Sequence, residues 1–330
     1  STSKDVIIFQ TGVIVLGIYS KTNMPEHYFP IQQSDGQWGY INQEGAIKIV
    51  PQFEQAYPFK EGLAVVRQEG VYFYIDESGV KSFSVPLDCV ESFSEGLAAF
   101  SLHNRWGYID KNGHIRIKPR FSKVDMFSEG VAAVQYPTLR FLGRAKWGFI
   151  DLTGSWKIKP AFDWAYHFSQ GVAVIERKER WGIINSQGEF LLKPSFHWIE
   201  SFQNGLAVVQ NKGYWGYINL KGEVEIPLQF NKAWAFVENV AMIEVKGKRG
   251  YMDRQSEMVI PLQFVQARSF SEGRAAIKID NHWGYINQEG QIVISPIFDQ
   301  AFDFNHELAL VKEKGVLGYI AKAGDYVWHN

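Results

Sequence analysis

Apolar positions along this chain return in one fixed order. A first segment, A, sets an aromatic or apolar residue at i, a small or branched one at i+3 and a Phe at i+6, as in Phe53, Ala56 and Phe59, and closes on Glu61-Gly62. The frame recurs as Phe121, Val124, Phe127, as Phe162, Ala165, Phe168, as Phe196, Ile199, Phe202, and on to Phe298, Ala301, Phe304. Spacing by three suits neither a clean strand nor a long helix, so A is predicted to be a strand with a bulge or a short turn. Its closing Gly gives way once to Asn239, and Gly and Asn share a tolerance for positive φ, so a left-handed turn residue is expected there. Glu307 breaks this pattern in the last unit.

Segment B, such as Leu63-Ala64-Val65-Val66, is apolar on both faces. Segment C alternates Trp106, Tyr108 and Asp110 on one face with Gly107 and Ile109 on the other. It ends in Asp or Asn, two variable residues and Gly, as from Asp110 to Gly113. That is hairpin chemistry, with an Asx side chain holding the turn. Segment D alternates apolar with charged, as in Ile115-Arg116-Ile117-Lys118-Pro119, and its charges and Pro mark an edge strand.

The Trp-Gly pairs fall at Trp38, Trp106, Trp147, Trp181, Trp215 and Trp283, with Tyr72, Arg249 and Leu317 in the same slot where Trp is lost. Successive slots are 34 residues apart, except for 41 between Trp106 and Trp147, where about seven residues are inserted near 137–143. A fixed period of this size means stacked supersecondary units. The expected organisation is one array over 1–330: a degenerate half-repeat at 5–16, read as a worn C–D pair, then about nine repeats from 19 to 330.

With B and C covered on both sides and D on one, each small antiparallel sheet of three or four strands must sit between two neighbours. This predicts an all-β, propeller-like ring or arc. Trp is expected to fill the seams, each indole removing about 150–250 Å² from water, or about 4–6 kcal/mol before entropy. The Gly after it is expected to let the next backbone come close. The surplus half-unit is awkward for a closed ring, so an open β-solenoid or superhelix stands as the alternative.

Composition narrows the function classes. Net charge is -1, from 34 basic and 35 acidic residues without a run of one sign, which speaks against a nucleic-acid or anionic-membrane surface. No apolar run reaches membrane-spanning length. Cys89 is the single cysteine and reads as a packed thiol. The sequence starts at Ser1 rather than Met, consistent with removal of a leader or tag, and exported, envelope-associated and cytoplasmic locations all fit it.

The sentence Phe-x-x-Ala-x-x-Phe-Ser-Glu-Gly-Leu-Ala-Ala-Val, then Trp-Gly-Tyr-Ile-Asp-x-x-Gly, then apolar-x-Ile-x-Pro, resembles the WG-repeat family of mainly bacterial proteins across about residues 19 to 330. In layout it is similar to propeller repeats, and more distantly it resembles the Trp/Tyr-Gly hairpins of cell-wall-binding modules, which form open solenoids. The resemblance implies a binding or scaffolding surface and no shared catalytic residues. Tyr72-Phe73, Arg249, Ser256 and Leu317 depart from the pattern in single units.

The eight histidines form no close-spaced metal motif, and the Asp or Asn ending C is kept for its turn hydrogen bond. No phosphate-cradling loop or nucleophile elbow occurs. No catalytic residue, cofactor or metal is therefore expected, and an enzyme with a site built from distant residues is the least favoured class. Where the repeat is broken, recognition is expected. Trp164 and Trp198 occupy a slot held elsewhere by Gln55, Lys123, Lys232, Gln266 or Gln300, which marks it as exposed. In a four-stranded meander the D–A and B–C connections share a face. Tyr166, His167, His197 and Trp234, with Arg140, Phe141 and Arg144 of the insertion Pro137 to Arg144, would complete an aromatic and basic patch. Such a patch suits a protein partner through rigid aromatic anchors, or a glycan through ring stacking. A non-catalytic protein-interaction scaffold is the expected function, with a carbohydrate or cell-envelope binding module as the alternative.

Overall fold

A computed structural model describes residues 27–83, 89–137 and 145–329. All regular structure in them is β, in nine antiparallel sheets taken in chain order. The sheets, here blades 1 to 9, span 27–53, 55–83, 89–121, 123–162, 164–196, 198–230, 232–264, 266–298 and 300–329. In blade 3 strands A (Cys89–Ser94), B (Leu97–Leu102), C (Arg105–Asp110) and D (Ile115–Phe121) pair in sequence order. Blade 1 has three strands among the described residues. The half-repeat at 5–16 and insertion residues 138–144 lie outside the described residues.

Each segment adopts the local form its residues dictate. Strand A is bulged where it is long, with a register break between Val90 and Phe93, and shrinks to two residues elsewhere, as at Trp164–Ala165. The A–B turn takes positive φ at both central residues, Glu61 at 52° and Gly62 at 83°, the twist that favours tight hairpins. The last unit keeps this backbone without its Gly, since His306 and Glu307 take φ 49° and 72°. At the C–D turn the Asp110 carboxylate accepts the Asn112 and His114 N–H groups at 3.0 and 2.9 Å, the expected Asx turn.

The Trp-Gly pair lies at the seam as expected, and two particulars sharpen that reading. A Cβ on Gly107 would stand 2.4 Å from the Ile117 carbonyl oxygen and 2.8 Å from the Pro119 nitrogen. The expected close backbone approach is that of strand D of the same sheet. Trp106 pairs with Phe121 while Tyr108 pairs with Ile117, so D bulges opposite the glycine, and Pro119 sits where no ladder N–H is required. The indoles do lie in the seams, with a tyrosine ring deeper still. Tyr40, Tyr108, Tyr217, Tyr251 and Tyr285 are fully buried, whereas Trp147 and Trp181 are buried but Trp106 and Trp215 only partly so.

Three kinds of side chain fasten neighbouring blades together. The strand-C Tyr donates to a strand-A carbonyl one blade on, as from Tyr40 to Tyr57 at 2.7 Å. The turn glutamate accepts the next turn's N–H, as Glu61 does from Gly96 at 3.1 Å. Ser94 Oγ donates to the Phe127 carbonyl at 2.8 Å.

The ring is closed. Phe29, Ile31 and Ile41 of blade 1 share a core with Leu308 and Tyr319 of blade 9, and the Tyr319 hydroxyl donates to the Pro30 carbonyl at 3.1 Å. These contacts overturn the open solenoid: the protein is a nine-bladed β-propeller.

Candidate functional site

Apart from the junction between blades 2 and 3, one residue separates strand D of a blade from strand A of the next, and at Glu54, Asp163, Asn231 and Asp299 its side chain caps the neighbouring B–C turn. The Glu54 carboxylate accepts from Gly70 N–H at 3.2 Å, Asp163 from Lys178 at 2.8 Å and Asn231 from Lys246 at 2.8 Å. His197 holds the same junction: its Nδ1 lies 3.3 Å from Lys212 N and contacts Asn211 Oδ1. Its side chain is thus engaged in a turn. The D–A and B–C connections do share one face of the ring.

On that face the aromatic substitutions join into a row across blades 4 to 6. Trp147 lies 5.0 Å from Trp164, Trp164 lies 6.3 Å from Tyr166, Tyr166 stacks on Trp181 at 5.4 Å and 19°, and Trp181 lies 4.9 Å from Trp198. The two Trp of the variable slot differ. Trp198 is exposed (37%), whereas Trp164 is half-buried against Trp147, with its indole N–H sequestered and the Lys123 ammonium over its ring at 5.6 Å. The expectation of exposure therefore fails for Trp164, because its outer face is covered by a neighbouring blade.

Beside the row the A strands of blades 3 to 5 line a cavity of about 620 Å³, with Glu91, Asp125, Trp106, Trp164, Tyr166 and His167 in its wall. Asp125 accepts the His167 backbone N–H at 3.1 Å and lies 3.2 Å from its Nδ1. This hydrogen bond raises the imidazole pKa above its usual value. Burial pushes the Glu91 carboxyl up, and that of Glu200 as well. Sequence reasoning missed Glu91, Asp125 and Glu200. All three stand four residues after the start of segment A, a slot whose carbonyl serves the ring while its side chain varies, and that variability was the available signal.

Trp234 is not part of the row. It packs near Met242 and Phe270 in another seam, under the Arg249 guanidinium at 4.8 Å. Arg140, Phe141 and Arg144 lie outside the described residues. The flanks of their insertion do reach the site, since Lys146 pairs with Asp163, next to Trp164. Among the described residues no three His, Cys, Asp or Glu side chains group as a metal site, and no helix is long and apolar enough to cross a membrane.

Among solved structures, the chain resembles a eukaryotic initiation factor, with a TM-score of 0.64 and 11% identity over 92% of this chain and 96% of that one. At that identity the likeness is one of fold. Weaker likenesses are to Kluyveromyces lactis Hsv2p (TM-score 0.39, 11% identity, 72% of this chain and 89% of that one) and to YCF48 bound to D1 peptide (0.36, 12%, 68% and 89%). No curated protein sequence matches the chain. The model of the WG containing repeat matches residues 38–72, 106–136, 147–180, 181–215, 215–248, 250–282 and 283–316, more than half the chain. With its Trp-Gly strands in register around a closed ring, this chain belongs to the WG containing repeat family.

Proposed function

We propose that the protein is a non-catalytic scaffold that binds a partner protein on the D–A face of blades 4 to 6. The observation carrying this reading is the unbroken row from Trp147 to Trp198, which ends in an exposed indole and borders the cavity of blades 3 to 5. Rigid aromatic side chains lose little entropy on contact and bury much area, the property of interface anchors. The polar groups that recur around the ring, Glu61 and Asp110 among them, are occupied in turns and seams, which favours binding over chemistry.

The test is a peptide array probed with the wild-type protein and with Trp198→Gln. Saturable binding of a peptide set that the variant loses supports the proposal; equal binding by both removes it. A glycan ligand is the second reading, because an exposed indole beside stacked rings also suits a sugar face. A glycan array giving saturable signal while peptides give none would favour it.

A further inference from the structure

The i+4 slot of segment A holds Tyr57, Glu91, Asp125, Tyr166, Glu200, Trp234, Arg268 and Phe302 in blades 2 to 9. Arg268 is the one cation among these, and its surroundings are unusual. Its guanidinium lies 5.7 Å from the Trp283 ring centre and 5.2 Å from that of Phe302, so aromatic rings hold it in place. Its Nε is buried without a hydrogen-bond partner, and its side chain makes no hydrogen bond or ion pair among the described residues. The neighbouring Arg249 is a contrast: it pairs with Glu244 at 3.0 Å and donates to the Ala267 carbonyl at 3.0 Å. Both arginines line a cavity of about 450 Å³ that also contains Trp234, Trp283 and Asp303.

A guanidinium is a planar fork of donors matched to a carboxylate. Leaving the buried Arg268 Nε without an acceptor is costly unless something supplies one. Asp303 senses Arg268 electrostatically but stands beyond ion-pair distance, and burial raises its own pKa. It is a poor counter-ion. The cavity is open to solvent and largely polar, so it suits a small ligand that keeps one side in water, with the indoles of Trp234 and Trp283 as its apolar wall.

We propose that this cavity binds a small organic carboxylate through the Arg268 guanidinium, with Trp234 and Trp283 flanking the apolar part of the ligand. Unlike the partner face of blades 4 to 6, this site stands in blades 7 to 9, so either can fail without the other.

The test titrates benzoate and acetate into the full chain and follows the indole N–H signals of Trp234 and Trp283 by NMR. Saturable shifts are expected, larger for benzoate. Arg268→Gln should weaken binding by about tenfold or more, the scale of a charge-assisted hydrogen bond. Asp303→Asn should tighten it, by removing a competing negative charge. Should Arg268→Gln fail to fold, Arg268→Lys keeps the charge without the fork and should still bind several-fold more weakly. Absence of saturable shifts in both wild type and Asp303→Asn, or binding undiminished by either Arg268 variant, would overturn the proposal.

Discussion

The Tyr108 hydroxyl of blade 3 donates to the backbone carbonyl of Asp125 in blade 4 at 2.7 Å. Burial pushes its phenol pKa well up, so it remains a donor. The same join runs from Tyr74 to Glu91, Tyr217 to Trp234, Tyr251 to Arg268 and Tyr285 to Phe302. Blades 4 and 5 carry Phe149 and Ile183 in that position and end beside the aromatic row.

Removing one join should therefore weaken the ring, and adding one should strengthen it. Tyr108→Phe is expected to cost about 1–3 kcal/mol, because it leaves a buried carbonyl unpaired. Phe149→Tyr, aimed at the Tyr166 carbonyl, is expected to add about 0.5–1.5 kcal/mol. Denaturant unfolding of both variants measures this; a neutral Tyr108→Phe would show the join to be incidental.

Glycines with different duties should respond differently to Ala. At Gly107 the new methyl meets the backbone of Ile117 and Pro119, whereas at Gly130 it meets open space and only the positive φ of 77° resists it. Gly107→Ala is expected to cost about 1–3 kcal/mol through overpacking or more, Gly130→Ala about 1 kcal/mol. Thermal melts that rank them in reverse would contradict the bulge as drawn.

The two Trp of the variable slot should separate folding from binding. Trp198→Gln is expected to change stability by less than about 0.5 kcal/mol, as exposed positions do, while Trp164→Gln loses packing against Trp147 and costs about 1–3 kcal/mol. Both should weaken partner binding. Paired melts and binding titrations decide it, and a large fall in melting temperature for Trp198→Gln would remove it from the exposed surface.

Acid and base should act on different joins. For Glu61 burial alone would raise the pKa, but hydrogen bonds from Lys111 and Gly96 outweigh it and hold the pKa below 4.5; Glu272 behaves alike, with the Glu307 N–H and Lys322 prevailing over burial. Depressed carboxyl pKa values mean that their stabilisation is present above pH 4.5 and is lost as pH falls through the folded values. His167 has the opposite sign: its pKa, raised above 6.5 by the bond to Asp125, gives stabilisation that is full below 6.5 and lost as pH rises through the folded value. Stability curves of the double variant Glu61→Gln, Glu272→Gln should flatten below pH 4.5, and that of Asp125→Asn should flatten on the alkaline side of 6.5. Unchanged curves would dissociate these groups from folding.

Most of the architecture was legible because one sentence is repeated nine times, so local choices at Phe53, Gly62, Trp106 and Asp110 reinforce one another. What was not legible depends on contacts between units. The Gly after Trp signals a close backbone approach, and only the register of Tyr108 with Ile117 identifies that backbone as strand D of the same sheet. The choice between the expected ring or arc and the open solenoid is not fixed by the repeat for a similar reason, since Tyr319 finds Pro30 289 positions away, where periodicity carries no information. At the candidate site, Trp164, Tyr166 and Trp198 stood out as breaks in a pattern. Their union through Trp147 and Trp181 could not be read from single positions, and neither could the separation of Trp234.

Eight of the nine seams are crossed by the polypeptide itself, and the seam between blades 9 and 1 is held by side chains around Tyr319 and Phe29. Among the described residues the circle thus has a single latch. Tension applied across the described ends, or thermal fraying, would enter there first, and the ring would uncoil into an arc blade by blade.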